Sequence, residues 1–295
     1  MSKAGKSMPQ AITVPLLRER KAAGQRAVMI TAYDFPSARI AEDAGADILL
    51  VGDSLGMVVQ GRQDTLGVTL DHMVYHCSMV SRAARRALVV ADMPFMTYHT
   101  GVRDALRNCG RCLQEGGVHG VKIEGGANRA PLIRRLVENG IPVMAHIGLT
   151  PQSLHNLGGF KVQGRTARSA QQLLADAKSV EEAGAFSIVL ECIPSEVARE
   201  ITARSGILTI GIGAGPSCDG QVLVFHDLLG LYEEGMPRFV RQYGDFGKQM
   251  RHALARFCGD VLEGRFPTED EAFHLSADEA RLFGSIQSHA DPAAR

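Results

Sequence analysis

The feature that most constrains this chain is a repeat of pattern. Short apolar runs alternate with amphipathic stretches from residue 27 to residue 227. The runs are AVMITAYD (27–34), DILLVGD (47–53), ALVVADMP (87–94), GVKIEG (120–125), PVMAHIGL (142–149), FSIVLEC (186–192), LTIGIGAG (208–215) and QVLVFHD (221–227). Helical patterns lie between most of them, and several close on a glycine, as in PSARIAEDAG (36–45) and NRAPLIRRLVENG (128–140). Near-continuous apolar strands separated by helices imply a parallel sheet covered on both faces. Eight such units in about 200 residues predict a (β/α)8 TIM barrel, with a doubly wound open sheet as the alternative that counting leaves open. Residues 13–24 read as a helix closing the barrel bottom, and 236–264 as helical packing or an oligomer contact. Nothing in the spacing splits the chain, so 1–283 is expected to be one barrel domain and 284–295 a solvated, flexible tail.

Charge excludes some functions. Lysine plus arginine and aspartate plus glutamate number 32 each, so no broad field draws the chain to nucleic acid or to an anionic membrane. No apolar run reaches the ~20 residues that span a bilayer. The opening MSKAGKSMPQ lacks the apolar core of a secretory signal, and six scattered cysteines suit a reducing compartment, so a cytoplasmic location is expected.

The chemistry collects where strands end. In a parallel barrel the active site lies at the C-terminal ends of the strands. Those ends carry Asp34, Asp53, Asp92, Glu124, His146, Glu191 and Asp227. Asp53, Asp92 and Glu124 come from three successive strands and are expected to be close in space. Unpaired buried carboxylates are costly, so such a group invites a cation, and hard oxygen ligands favour Mg2+. The competing account is that each acid caps the helix that follows it. Alternation puts Lys122 and Glu124 on one face of their strand, as a structural ion pair or as part of a site. Glu191 follows a fully apolar run, a setting that suits a general base.

Other motifs carry less. CGRC (109–112) has CxxC spacing but sits inside a helical pattern without a second pair, so packing is the expected role. His72 and His76 are four apart on a helix, yet Met73 stands where a zincin helix has glutamate. GIGAGP (211–216) lacks the third glycine of a dinucleotide loop and is expected to form a close-approach turn. HNLGGFKVQGR (155–165) reads as a lid or as a surface excursion.

Taken together, TAYD, VGDSLGMVVQG, DMPFMTY, VKIEGG, HIGLTPQSLHNLGGFKVQGR, LECIP and IGIGAGPSCDGQVLVFHD resemble the ketopantoate hydroxymethyltransferase family over residues 13–273. The resemblance implies a barrel of the phosphoenolpyruvate/pyruvate superfamily type. It implies one Mg2+ per subunit on Asp53, Asp92 and Glu124, and keto-acid contacts from Asp53, Ser54, Asp92 and Lys122. Glu191 is implied as the catalytic base, and His146 is a candidate for positioning groups near the reacting carbon. The implied reaction passes a hydroxymethyl group from 5,10-methylenetetrahydrofolate to 3-methyl-2-oxobutanoate through a metal-stabilised enolate, the first step of pantothenate synthesis. A homo-oligomer, a decamer, is also implied. The tail beyond Phe273 and the stretch HTGVRDALRNC (99–109) depart from the family pattern without touching the motif residues. A metal-dependent C–C lyase acting on a 2-oxo acid, or a barrel kept as a binding module, are the rival functions.

Overall fold

The computed structural model describes residues 10–231 and 236–290. The opening residues read for a secretory signal therefore lie outside it, up to residue 9, as does 291–295 of the expected tail. The chain divides into two compact units, Met1–Gly244 and Asp245–Arg295, with the division falling inside the stretch 1–283.

In the first unit, helix α1 (Val14–Ala22) precedes strand β1 (Ala27–Thr31). Then follow α2 (Phe35–Asp43), β2 (Ile48–Val51), the four-residue α3 (Leu55–Val58), α4 (Leu70–Ala83), β3 (Leu88–Asp92), α5 (Val102–Gln114), β4 (Gly120–Glu124) and α6 (Ala130–Glu138). Next come β5 (Val143–Gly148), α7 (Leu154–Leu157), α8 (Ala167–Glu182), β6 (Ser187–Glu191), α9 (Ser195–Arg204), β7 (Leu208–Ile212), β8 (Gly220–Leu223) and α10 (Phe225–Leu229). The strands are parallel and close in chain order, with β1 bonded to both β2 and β8. The expected (β/α)8 barrel is present, and the open sheet is excluded.

Strand alternation sorts the side chains into two cores. In β2, Leu49 and Val51 point out to the helices, while Ile48 and Leu50 point into the barrel. The interior set includes Met29, Val90, Met144, Val189 and Ile210, and Ile12 and Leu17 of the N-terminal segment join it, closing the bottom as expected. With the lower interior filled largely by apolar side chains, the charged groups gather at the upper rim.

Two sequence expectations are corrected. The apolar run 221–227 does not stay extended: β8 ends at Leu223 and α10 starts at Phe225, so Asp227 sits on a helix. The backbone N–H of Phe225 donates to the Thr31 hydroxyl at 2.9 Å, which anchors the chain where the strand stops. A short apolar run gives no period by which to tell strand from helix. Likewise 236–264 is helical only over α11 (Phe246–Leu262), which Asp245 caps through the Lys248 N–H.

The second unit contains α11 and α12 (Ala277–Ala290), which takes in residues 284–290 of the expected tail. Met250, Leu254, Phe257 and Val261 recur at helical spacing along α11 and are exposed.

One buried acid holds the barrel base. The Glu42 carboxylate on α2 accepts hydrogen bonds from the backbone N–H groups of Arg85, Arg86 and Ala87 at 2.7–2.9 Å, just ahead of β3. Removing it leaves three backbone N–H groups without this partner, that of Ala87 buried. Glu42→Ala is expected to cost about 3 kcal/mol of unfolding free energy by urea titration, while the exposed Glu182→Ala stays within about 0.5 kcal/mol. Equal effects would show that the Glu42 contacts carry no stability.

Candidate active site

The register of the parallel strands decides which polar groups meet. Asp92 lies beside Lys122 across β3 and β4, and Glu124 beside His146 across β4 and β5. Accordingly Lys122 Nζ is 2.8 Å from Asp92 Oδ1 and 3.9 Å from Glu124 Oε1. His146 Nδ1 lies 3.1 Å from Lys122 Nζ and 3.5 Å from Glu124 Oε1, and His146 Nε2 is 3.2 Å from Glu191 Oε2. Asp53 follows β2 directly, and its N–H approaches Asp92 Oδ2 at 3.4 Å. Asp53, Asp92, Lys122, Glu124 and His146 are all buried, and Glu191 is partly open to the cavity above them.

Asp53, Asp92 and Glu124 each offer one oxygen, all within 4.8 Å of one another. Asp92 Oδ1 and Glu124 Oε1 are buried, the first against the Lys122 ammonium at 2.8 Å and the second against the His146 ring at 3.5 Å. Three buried carboxylates converging on one point, with a single ammonium against them, fit a hard divalent cation. Electrostatics agree with the geometry. Burial and the charges of Asp92 and Glu124 push the Asp53 carboxyl well above the usual carboxylate range. Burial also raises Asp92, against the pull of Lys122. For Glu124 burial acts in the same sense, but hydrogen bonding to His146 and the charges of His146 and Lys122 outweigh it and leave it lowered. His146 is drawn down by burial and by Lys122, yet its contacts with Glu124 and Glu191 push it up to about 9.

The acids named from the sequence separate cleanly. Asp34 caps α2, accepting the Ser37 N–H at 2.7 Å, so there the helix-capping account holds. Ser54 stands at the start of α3 without capping it, which leaves its hydroxyl for Tyr33 Oη at 2.9 Å. Asp227 lines the cavity, and burial raises its carboxyl. His72 accepts the Thr69 N–H at the start of α4, and His76 Nδ1 contacts the Tyr33 carbonyl at 2.5 Å. Cys109 and Cys112 pack in the core on α5, where burial raises both thiols.

Sequence reasoning missed Gln152. It sits in a 3-10 turn, Pro151–Ser153, after β5 and is buried. Its amide donates to Asp53 Oδ2 at 2.9 Å and to the Met93 carbonyl at 2.8 Å, and accepts the Tyr98 hydroxyl at 2.7 Å. Its backbone N–H donates to Glu124 Oε2 at 3.2 Å. A polar residue in an aperiodic loop gives no warning of this, although it lies in the quoted HIGLTPQS segment.

Above the charged floor opens a cavity of about 620 Å³. Its walls are largely apolar and include Met57, Val58, Leu149, Ile212 and Phe239, with Phe160 and Val162 from the Gly-rich loop 155–165. That loop therefore borders the site. Gly213 and Gly215, in the turn after β7, adopt φ of 62° and 81°, which glycine allows at low cost.

The closed parallel barrel with acids at its C-terminal rim defines a (β/α)8 barrel with a candidate cation site at the mouth. Solved structures bear out that fold. 2,3-Dimethylmalate lyase, a member of the PEP mutase/isocitrate lyase superfamily, matches with TM-score 0.57 at 19% identity, covering 97% of this chain and 98% of that one. Phosphonopyruvate hydrolase in complex with oxalate and Mg++ matches with TM-score 0.57 at 12% identity, covering 95% and 98%. Sequence is more specific: the ketopantoate hydroxymethyltransferase pattern spans residues 11–269, and the chain belongs to that family. A 3-methyl-2-oxobutanoate hydroxymethyltransferase of Nitratidesulfovibrio vulgaris strain DP4 is 57% identical, covering 90% of this chain and 86% of that protein. Those of Carboxydothermus hydrogenoformans and Heliobacterium modesticaldum are each 53% identical, covering 90% and 97%, and 94% and 100%, respectively.

Lys122 raises a chemical alternative, because a buried lysine beside a 2-oxo acid can form an imine if its amine is neutral. Burial favours the neutral form, but Asp92, Glu124 and Asp53 outweigh it and hold the group above the ordinary lysine range. Lys122 is therefore expected to remain an ammonium. Borohydride added with 3-methyl-2-oxobutanoate should leave the protein's mass and activity unchanged, and a reduced adduct on Lys122 would establish imine chemistry instead.

Proposed function

We propose that this chain transfers a hydroxymethyl group from 5,10-methylenetetrahydrofolate to 3-methyl-2-oxobutanoate, giving 2-dehydropantoate and tetrahydrofolate, the first step of pantothenate synthesis. The observation that carries this reading is the set of three acids and one ammonium at the floor of a cavity with apolar walls. The family membership and the names of the relatives support the same reaction.

Asp53, Asp92 and Glu124 would hold Mg2+. When bound there, the ion supplies Lewis-acid stabilisation for charge developing on the substrate's 2-oxo oxygen. The ammonium of Lys122 offsets negative charge on the same side of the substrate. The Ser54 hydroxyl, oriented by Tyr33, is available to the substrate carboxylate, and apolar walls suit its isopropyl group. Glu191 takes the C3 proton, with its carboxylate positioned by His146 at 3.2 Å. Water hydrolyses the folate methylene to formaldehyde, its two protons ending on the two folate nitrogens. The C3 carbanion then adds to the formaldehyde carbon, and the alkoxide so formed takes the proton held by Glu191 to become the product hydroxyl. Phe160, Val162 and Phe239 offer a broad apolar wall for the flat pterin.

The exposed stripe on α11 supports a homo-oligomer, in keeping with the decamer implied by family resemblance. A cytoplasmic location fits the free cysteines, and no helix among the described residues is long and apolar enough to cross a membrane.

Proton exchange tests the reading without the folate. Wild-type protein with Mg2+ in deuterated water should exchange the C3 proton of 3-methyl-2-oxobutanoate, seen by loss of its NMR signal. A chelator should stop the exchange. Glu191→Gln should slow it by about 100-fold or more while still binding the keto acid. Exchange at the wild-type rate in Glu191→Gln would move the base to another residue.

A further inference from the structure

We propose that Gln152 sets which carboxylate oxygen of Asp53 and of Glu124 faces the cation, and so tunes the site toward a small octahedral ion over a larger one. The proposal rests on the reading that Asp53, Asp92 and Glu124 hold a divalent cation.

The amide of Gln152 has one chemically sensible orientation. Its nitrogen faces two acceptors, Asp53 Oδ2 and the Met93 carbonyl, while its oxygen faces the Tyr98 hydroxyl. Flipping the amide would set oxygen against both a carboxylate and a carbonyl, and Tyr98 would lose its acceptor. Both amide hydrogens are used, and the side chain is buried, so the group is fixed. The consequence falls on the acids. Asp53 Oδ2 is engaged by the side chain, and Glu124 Oε2 by the backbone N–H of the same residue. Asp92 Oδ2 is engaged by the Asp53 N–H. Asp53 and Glu124 thus each have one oxygen held by Gln152, while at Asp92 the Asp53 N–H holds Oδ2 and the Lys122 ammonium lies 2.8 Å from Oδ1.

Carboxylates limited to one oxygen each are monodentate ligands. Three of them leave positions for water and a chelating substrate around an octahedral Mg2+. Ca2+ takes about 6–8 oxygens and uses bidentate carboxylates readily, so it gains when a carboxylate is freed to turn. Gln152 opposes that turn at Asp53 by holding Oδ2 from the far side. Partners of this kind orient ligands and commonly change metal affinity by about 10–100-fold when removed.

The test is calorimetric titration of the full chain with Mg2+ alone and with Ca2+ alone, for wild type, Gln152→Leu and Tyr98→Phe. Gln152→Leu keeps the backbone N–H on Glu124 and releases Asp53. The ratio of Ca2+ to Mg2+ affinity should rise about fivefold or more in this variant. Tyr98→Phe removes only the hydroxyl that orients the amide and should move the ratio the same way by less; it decides the matter if Gln152→Leu does not fold. General loosening of the site would weaken both ions together and leave the ratio unmoved. An unchanged ratio overturns the role of Gln152 alone, whereas a wild-type protein that binds neither ion overturns the metal site and this proposal with it.

Discussion

One ammonium buried against three carboxylates is the constraint on which the site depends. Lys122 and the acids could not be placed there singly, since an unpaired buried charge is strongly destabilising and breaking such a group by removing one partner typically costs about 3–5 kcal/mol. The barrel makes the grouping possible. Its parallel register sets Asp92 beside Lys122 and Glu124 beside His146, and its lower interior is filled largely by apolar side chains. The remaining excess of negative charge gives the floor its appetite for a cation.

The cavity is divided by chemistry rather than by a wall. Its floor is charged and hydrogen-bonded from β2 to β6, and its upper lining is apolar and drawn largely from loops. Gln152 lies where the two meet. It belongs to the segment that runs on into the Phe160 and Val162 wall, yet its amide reaches down to Asp53.

Much of this was legible because β-strands buried on both faces are apolar to their last residue, so an acid there stands out. Alternation along GVKIE puts Lys122 and Glu124 on one strand face, and Asp53 and Asp92 stand out as acids that end apolar runs. The same signal overcounted at Asp34, where Ser37 three residues on completes a capping box. It put Asp227 on a strand, because the run through Phe225 carries no period, whereas Asp227 lines the cavity from α10, whose first N–H meets the distant Thr31 hydroxyl. Gln152 and the Tyr33–Ser54 contact stayed hidden for a related reason: their partners are far along the chain and no local pattern marks them. The glycine-rich stretch 155–165 reads as a loop in the sequence, yet residues 155–157 belong to α7, and the place of Phe160 and Val162 on the cavity wall follows from barrel closure.

The most direct measurement of the central claim is anomalous diffraction from crystals grown with Mn2+, as a stand-in for Mg2+, and 3-methyl-2-oxobutanoate. The account predicts an anomalous peak bounded by Asp53, Asp92 and Glu124, with the keto acid beside it and Glu191 facing C3. A peak elsewhere in the molecule, or a keto acid bound away from these acids, would contradict it.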